Sequence, residues 1–362
     1  MVLVNELSDC LEINIDARPT LEDIYKSGGM NRSRFMKLYS ILYEHGPGNG
    51  TFLTLPFDQL VEHGPGHQFK WSRSAESESV IELANRGEFS ALALSIGQAE
   101  KYQHDIGNVP LIVKIDGHLL IGDELEKYHP RPMKMSSVER AAKVADAIGI
   151  AWYPGEIESG QDLERVAETI EEAHNYNLPV VLWGYSRGPA FNKIQADSLF
   201  CCHYSVSLAE SLGADVVKVK FPAFVKPENI KQYKSYLDSY IKGKMPEAPE
   251  AYLSLENNES MSKEEIKKLH IKRSALIASV AGRTLIGYSG GPRAKDPLKE
   301  LLESTEVSLG GGIEGRIVGR NLWGTEIEKA LDMNRQIVEF MRNSSYDRVL
   351  DEDESRFTKK YD

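Results

Sequence analysis

The chain has 362 residues, with 43 Lys and Arg against 54 Asp and Glu and a formal charge of −11. Hydrophobic residues make up 41% and charged residues 27%, an ordinary globular composition that argues against disorder, collagen and coiled coil. It contains no run of about 18 apolar residues, the length that a membrane-spanning helix needs. The negative charge disfavours a general nucleic-acid binder, since such a protein needs cations against phosphates. The negative charge does not exclude a small phosphorylated substrate.

The cysteines and the first residues of the chain indicate the cellular compartment that we expect for the protein. Cys10, Cys201 and Cys202 are odd in number and two are adjacent, so no disulfide framework is predicted and a reducing compartment fits. The first residues reach Glu6 and Asp9 without a basic segment or a long apolar stretch, unlike a signal peptide. We therefore expect a cytoplasmic protein with neither membrane nor nucleic acid among its partners.

Short apolar runs rich in β-branched residues recur along the chain and alternate with helical periodicity. Such runs suit strands of a parallel sheet that is buried on both faces. The eight runs are 51–57, 91–96, 111–115, 150–154, 179–185, 215–221, 283–289 and 315–320. Eight strands alternating with helices predict a (β/α)8 TIM barrel with additions. A doubly wound open sheet is the alternative.

Helix signals lie between these runs. Segment 136–149 predicts a helix with a capping box at its start and Gly149 at its end. Apolar residues at helical spacing predict further helices over 160–175 and 325–342. Segment 196–213 predicts a helix that ends at a glycine.

Three segments lie outside the eight-strand pattern. Residues 1–50 precede the first strand and have mostly helical periodicity, which predicts an N-terminal helical extension. Residues 222–270 are long, charged and contain prolines, which predicts an insertion between strands six and seven of a catalytic barrel over 51–343. Residues 344–362 form a charged C-terminal tail.

Two lysines on the sixth strand are the most informative polar residues, because barrel enzymes place their active sites at the carboxyl ends of the strands. Alternation puts Lys218 and Lys220 on the same face, and lysine is rarely buried without a partner or a function. A buried amine binds its proton less tightly and can attack a carbonyl to form a Schiff base. In the alternative interpretation both lysines point outward between the helices.

Other polar side chains occur at strand ends. Tyr185 can donate or accept a proton, with Arg187 nearby to favour the phenolate or bind an anion. Asp58 can hold a lysine or substrate hydroxyls, and it can equally cap the following helix. His63 alone is better explained as a structural hydrogen bonder than as a catalyst.

Glycines at the ends of the last two strands predict a phosphate site, because barrels often bind phosphate there through loop amides. The relevant segments are 289–291 and 319–320, the second of which adds a cation. Each glycine motif alone is a weak signal, since turns also need glycine. No His or Cys spacing typical of a metal site occurs in the sequence.

Seven stretches then form a recognisable set. They are LPFDQLVEHGPG (55–66), LIVKIDG (111–117), YPGE (153–156), VVLWGYSRGPAF (180–191), LGADVVKVKFP (212–222), YSGGP (288–292) and GRIVGRNLW (315–323). In this order and spacing, over about 50 to 325, the chain resembles the archaeal-type class I fructose-bisphosphate aldolases, a group also present in bacteria.

The resemblance implies a (β/α)8 barrel and a Schiff-base aldolase with neither metal nor organic cofactor. Its reaction would be the reversible cleavage of fructose 1,6-bisphosphate to dihydroxyacetone phosphate and glyceraldehyde 3-phosphate, in glycolysis and gluconeogenesis. Relatives form cyclic homo-oligomers. The resemblance implies Lys218 as the imine-forming residue, Tyr185 as the acid/base and Asp58 as the family aspartate. The implied substrate-binding residues are Gln59, His63, Lys114, Trp183, Arg187, Lys220, Ser289, Gly290, Gly291, Gly319 and Arg320.

The chain departs from the family pattern at a few positions. Leu60 stands where a glycine is expected, Ser186 precedes the arginine in place of the usual residue, and Asp116 stands where an amide is usual. Segment 222–270 exceeds the compact archaeal form. Two alternatives therefore stay open: a related Schiff-base lyase or transferase acting on another phosphorylated keto-sugar, and a non-catalytic sugar-phosphate-binding barrel.

Overall fold

The apolar runs form the strands of a closed barrel in a computed structural model of the chain. The structure describes residues 18–58, 60–64, 76–118, 132–155, 159–187, 196–258, 260–291 and 295–344. Its barrel strands are β1 (Phe52–Phe57), β2 (Ala91–Ser95), β3 (Leu111–Lys114), β4 (Ala147–Trp152), β5 (Val180–Gly184), β6 (Val216–Lys220), β7 (Leu285–Ser289) and β8 (Gly315–Ile317). Each strand pairs in parallel with its neighbours in chain order, and β8 closes onto β1. The (β/α)8 prediction is confirmed, and the open-sheet alternative is wrong.

Helices alternate with the strands and cover the barrel. They are α1 (Leu21–Lys26), α2 (Arg32–Tyr39), α3 (Leu60–His63), α4 (Ser77–Arg86), α5 (Ile96–Lys101), α6 (Val138–Ala141), α7 (Ser159–Asn175), α8 (Leu199–Leu212), α9 (Ile230–Leu237), α10 (Ala248–Ser254), α11 (Lys263–Ser279), α12 (Pro297–Gly310), α13 (Arg320–Trp323) and α14 (Ile327–Arg342). Single π-helical turns, Ser40–Glu44 and Asp238–Lys242, extend α2 and α9. None of these helices in the described ranges has the length and apolar character needed to cross a bilayer.

Alternation along the strands separates the barrel interior from the layer beneath the helices. On β6, Val216 packs in the interior cluster, whereas Val217 and Val219 pack in the cluster under the helices. Lys218 and Lys220 share the phase of Val216. Lys218 therefore points into the barrel, and its outward placement between helices is excluded.

The described part of the N-terminal segment closes the amino end of the barrel. Leu21 of α1 and Leu38 of α2 belong to the same apolar cluster as Phe52 and Leu285, which lie at the starts of their strands. Because this end is filled with apolar side chains, the polar residues at the carboxyl ends are left to form a site.

The prediction for segment 136–149 is wrong. Helix α6 has a single turn, capped by the Ser137 side chain, which accepts a hydrogen bond from the Arg140 amide at 3.1 Å. Strand β4 starts at Ala147, three residues before the predicted run, and Gly149 lies inside it. A Cβ at Gly149 would lie 2.8 Å from the Trp183 ring, so the glycine gives room to a neighbouring indole rather than ending a helix.

The other predicted helices are confirmed as α7, α8 and α14. Helix α8 ends at Gly213, whose φ of 80° is the left-handed conformation that favours glycine. Segment 222–270 folds as further helices, and aromatic side chains of α9 pack on Phe200 of α8. The insertion and the other domain boundaries stay predictions, and the predicted tail lies outside the described residues apart from its first residue.

Candidate active site

Lys218 lies inside the barrel against two aromatic rings. Its side chain is only 7% exposed, and its Nζ lies 4.8 Å from the Trp183 ring centroid and 5.9 Å from that of Tyr185. The pairing of β5 with β6 sets Trp183 beside Lys218. The two strands thus place an amine under an indole at the open end of the barrel.

This environment weakens the proton affinity of Lys218. Burial lowers its pKa from 10.5 to about 8, with the positive charges of Lys114 and Arg320 contributing in the same direction. The carboxylates of Asp58 and Glu62 oppose the change without cancelling it. At pH 7 about 9% of the amine is then neutral, compared with about 0.03% for an unperturbed lysine.

Lys114 is equally buried but lies in the opposite electrostatic environment. It is 1% exposed, and its Nζ donates to Asp116 Oδ1 at 2.6 Å and lies 3.8 Å from Glu62 Oε1. Burial lowers its pKa, but the carboxylates of Asp116, Glu62 and Asp58 outweigh burial and raise the pKa above its ordinary value. Lys114 therefore stays an ammonium, 5.6 Å from the same Trp183 ring.

Two further groups besides Lys114 hold the Asp116 carboxylate in place. Its carboxylate accepts the Ala151 amide at 2.9 Å and a guanidinium N–H of Arg165 at 3.0 Å. Arg165 also pairs with Asp162 at 2.5 Å. The carboxylate that replaces the family amide is thus neutralised by two cations, one of which belongs to helix α7.

Tyr185 and Asp58 complete the interior face of the site. Burial raises the pKa of the Tyr185 phenol well above its ordinary value, while a hydrogen bond with the Ser289 side chain and the charge of Arg187 oppose this effect. Asp58 is buried just beyond β1, and its carboxylate is a source of negative potential at Lys218, Lys114 and Tyr185. A phenol that holds its proton next to an amine that releases one is suited to acid–base work on a bound carbonyl compound.

Arg187 and Lys220 are brought together by an acid that the sequence interpretation missed. Lys220 Nζ donates to Asp197 Oδ2 at 2.7 Å, and Arg187 donates to Asp197 Oδ1 at 3.4 Å. The three side chains are about one-third exposed, so they form a partly solvated cluster at the rim of the barrel. Asp197 offsets part of the positive charge available there for an anion.

The predicted phosphate segments lie side by side. The Gly290 amide donates to the Ile317 carbonyl at 2.9 Å, and Asn321 donates to the Gly290 carbonyl at 2.9 Å. A guanidinium N–H of Arg320 reaches the Gly291 carbonyl at 3.5 Å. At Gly319 a Cβ would lie 2.9 Å from the Pro56 carbonyl oxygen, so only glycine fits. The two loops and one arginine therefore lie next to one another, and the phosphate site itself stays a prediction.

Some predicted residues cannot be placed. Gln59 and the His63 side chain lie outside the described residues. Glu62 is placed: it accepts from the Tyr153 hydroxyl at 3.3 Å, and burial raises its pKa, with Lys114 opposing. Arg165 and Asp197 had no sequence signal, because their partners Asp116 and Lys220 lie 49 and 23 residues away along the chain.

The assembled groups are a partly neutral amine, a retained ammonium, a phenol, carboxylates and a cationic rim. Within the ranges that the structure describes, no group of three His, Cys, Asp or Glu side chains could hold a metal ion. The arrangement is suited to attack of Lys218 on a carbonyl, with the cations holding an anionic substituent of the same molecule.

Comparisons with known proteins agree with this chemistry. A family model described as DeoC/LacD family aldolase matches residues 52–325. The class 1 fructose-bisphosphate aldolase of Thermoproteus tenax is 27% identical over 271 residues, which cover 74% of this chain and 81% of the relative. That of Halobacterium salinarum is 28% identical over 301 residues, covering 81% of this chain and 87% of the relative.

One solved structure is similar over nearly its whole length. It is an archaeal fructose-1,6-bisphosphate aldolase with the catalytic Lys covalently bound to the carbinolamine intermediate of the substrate. Its TM-score is 0.64 at 25% identity, and the match covers 84% of this chain and 99% of that chain. The resemblance that the motifs indicate is confirmed.

Proposed function

The chain belongs to the DeoC/LacD family of aldolases, and we propose that it is a class I fructose-bisphosphate aldolase. It would cleave fructose 1,6-bisphosphate reversibly to dihydroxyacetone phosphate and glyceraldehyde 3-phosphate, without metal or organic cofactor. The observation that carries the proposal is the buried Lys218 amine, whose pKa of about 8 leaves a reactive fraction at neutral pH. Two relatives named for this substrate, each matched over about three-quarters or more of this chain, support the choice of ketose.

The reaction starts at the Lys218 nitrogen. The neutral amine adds to the C2 carbonyl of the ketose, and loss of water gives a protonated imine. This cation accepts the electron pair of the C3–C4 bond when that bond breaks, so an aldehyde leaves and an enamine stays on the lysine. Protonation of the enamine at C3 and hydrolysis of the imine release dihydroxyacetone phosphate and restore the amine.

Tyr185 is the proposed acid/base for the C4 hydroxyl and for C3. In the free enzyme burial keeps the phenol protonated. Formation of the iminium turns the neutral amine that attacks the ketose into a fixed positive charge, at a nitrogen that lies 5.9 Å from the ring centroid in the free enzyme. That charge lowers the pKa of the phenol when the C4 proton must leave. Asp58 and the Lys114 ammonium are proposed to hold the substrate hydroxyls between them.

The phosphate groups are assigned to the two cationic regions. Arg320, with the loop 289–291 and Gly319, would hold one phosphate. Arg187 and Lys220 would hold the other at the rim. Trp183 would shape the pocket beside Lys218. That Gln59 and His63 bind substrate stays a prediction. Cytoplasmic location and a cyclic homo-oligomer stay predictions.

A second substrate class is favoured by Asp197. Because this carboxylate already pairs with Lys220 at 2.7 Å and with Arg187 at 3.4 Å, a phosphate at the rim has to compete with it. A ketose with a single phosphate would avoid that competition. The alternative is therefore a Schiff-base enzyme of the same family that acts on another phosphorylated keto-sugar.

Initial rates of cleavage test the proposal. Triose phosphate release is measured from fructose 1,6-bisphosphate and from fructose 1-phosphate, with EDTA present throughout, for the wild type, Lys218→Met and Lys220→Met. We expect turnover of the bisphosphate by the wild type, none by Lys218→Met, and a raised KM with retained turnover in Lys220→Met. Higher kcat/KM with the monophosphate would move the assignment to the second class, and cleavage by Lys218→Met would contradict the proposed mechanism.

A further inference from the structure

A second cavity lies outside the barrel interior, between helices α11 and α12. Its volume is about 870 Å³, within the range of small-molecule sites. Phe221, Ile266 and Leu301 give it an apolar wall, and the first turns of both helices border it. Helix N-termini carry partial positive charge, so this border favours a negatively charged group.

Arg316 lies at the deep end of this cavity. Its neighbour Ile317 packs in the barrel interior, so alternation turns Arg316 toward the helices, where its side chain lines the cavity. It is 2% exposed. Its terminal nitrogens donate to Ser308 Oγ at 3.1 Å and to Ser304 Oγ at 2.8 Å, while its buried Nε has no hydrogen-bond partner among the described residues.

No acid among the described residues compensates the charge of Arg316. Burial lowers its pKa from the ordinary value to about 10, and among the described residues Tyr288 opposes this effect. The other buried arginines in the described ranges differ: Arg273 pairs with Glu256 at 2.9 Å, and Arg34 pairs with Asp215 at 3.2 Å. The charge of a buried guanidinium that donates to two hydroxyls is not neutralised, so an anionic ligand can complete an ion pair with it.

The charges at the rim of the cavity limit which ligand can pair with Arg316. Lysines and glutamates of α11 and α12 alternate there, and Lys267 already pairs with Glu306 at 2.6 Å. Three lysines against four glutamates leave the rim without excess positive charge, so Arg316 is the lining cation that can bind an anion. A ligand with one terminal anionic group and a less polar body fits this distribution better than a polyanion does.

We propose that the cavity between α11 and α12 binds the phosphoryl group of a small phosphorylated metabolite, held by the Arg316 guanidinium. The guanidinium fork matches the oxygens of a phosphoryl group. The site is separate from the catalytic one, since Arg316 points to the helices while Arg320 reaches the Gly291 carbonyl at 3.5 Å. The loop 289–291 borders both sites.

Calorimetric titration of the full chain with inorganic phosphate, without sugar present, tests the proposal. Arg320→Gln serves as the reference background, because it weakens the phosphate site next to Lys218 and leaves the cavity intact. In this background we expect Arg316→Met to weaken phosphate binding by about tenfold or more, the loss of charge-assisted hydrogen bonds.

A second variant guards against misfolding of Arg316→Met. Ser304→Asp supplies a carboxylate next to the guanidinium, so in phosphate-free buffer it should raise the thermal unfolding midpoint. In the Arg320→Gln background it should also abolish the phosphate binding that remains. Identical phosphate isotherms for Arg320→Gln and for both double variants would overturn the proposal, as would a lowered midpoint in Ser304→Asp.

Discussion

Replacing Lys218 by methionine should stabilise the protein. Its pKa falls from 10.5 to about 8 on folding, so folding disfavours the ammonium. Each tenfold change in proton affinity is worth about 1.4 kcal/mol, which makes the penalty about 3 kcal/mol. The penalty is fully present below about pH 8 and disappears as the pH rises toward 10.5. Methionine fills a similar volume without a charge, so at pH 7 we expect the free energy of unfolding to rise by about 3 kcal/mol.

Lys114→Met is the matched control, because Lys114 is a buried lysine of the same barrel interior with a raised pKa. Removing it leaves Asp116 and Glu62 short of a cation, although Arg165 still binds Asp116. The expected loss is about 3 kcal/mol. Urea unfolding of both variants at pH 7 and pH 10 measures these values. Destabilisation of both variants by similar amounts would refute the account of Lys218, and so would a gain in Lys218→Met that persists at pH 10.

Three further variants test the rest of the site. Tyr185→Phe should lower kcat by about 10²- to 10⁴-fold while borohydride still traps substrate on Lys218, since the phenol is needed for proton transfer and not for imine formation. Asp197→Asn should lower KM for a ketose bisphosphate severalfold more than for a monophosphate, measured by initial rates, because it releases the cations at the rim. Gly319→Ala should raise KM and cost about 1–3 kcal/mol in urea unfolding, since its Cβ would lie 2.9 Å from a carbonyl oxygen.

The strands could be predicted because each is buried on both faces and therefore reads as a continuous apolar run. The start of β4 was predicted wrongly because its first residues do not form such a run. Gly149 has no side chain because the Trp183 ring fills the space inside the barrel, and small residues in sequence are equally compatible with a helix. The boundary is decided by a contact between two strands, which no local pattern contains.

The site likewise contains features that the sequence could predict and features that it could not. Lys218 could be predicted, since a lysine in an apolar strand has a cost that alternation makes visible. The opposite pKa shifts of Lys218 and Lys114 could not be predicted. They differ because the carboxylates of Asp116 and Glu62 lie closer to Lys114 than to Lys218. Asp197 and Arg316 gave no signal for a similar reason: one matters through its partners at the rim, the other through the absence of a nearby acid among the described residues.

The most direct test of the central claim is the position of a trapped substrate. The protein is incubated with fructose 1,6-bisphosphate and EDTA, reduced with borohydride, digested and mapped by mass spectrometry, with Lys218→Met as the control. The account predicts a single adduct on Lys218 in the wild type and none in the variant. An adduct on Lys114 or Lys220, or no adduct with any phosphorylated ketose while triose phosphates are still released, would contradict it.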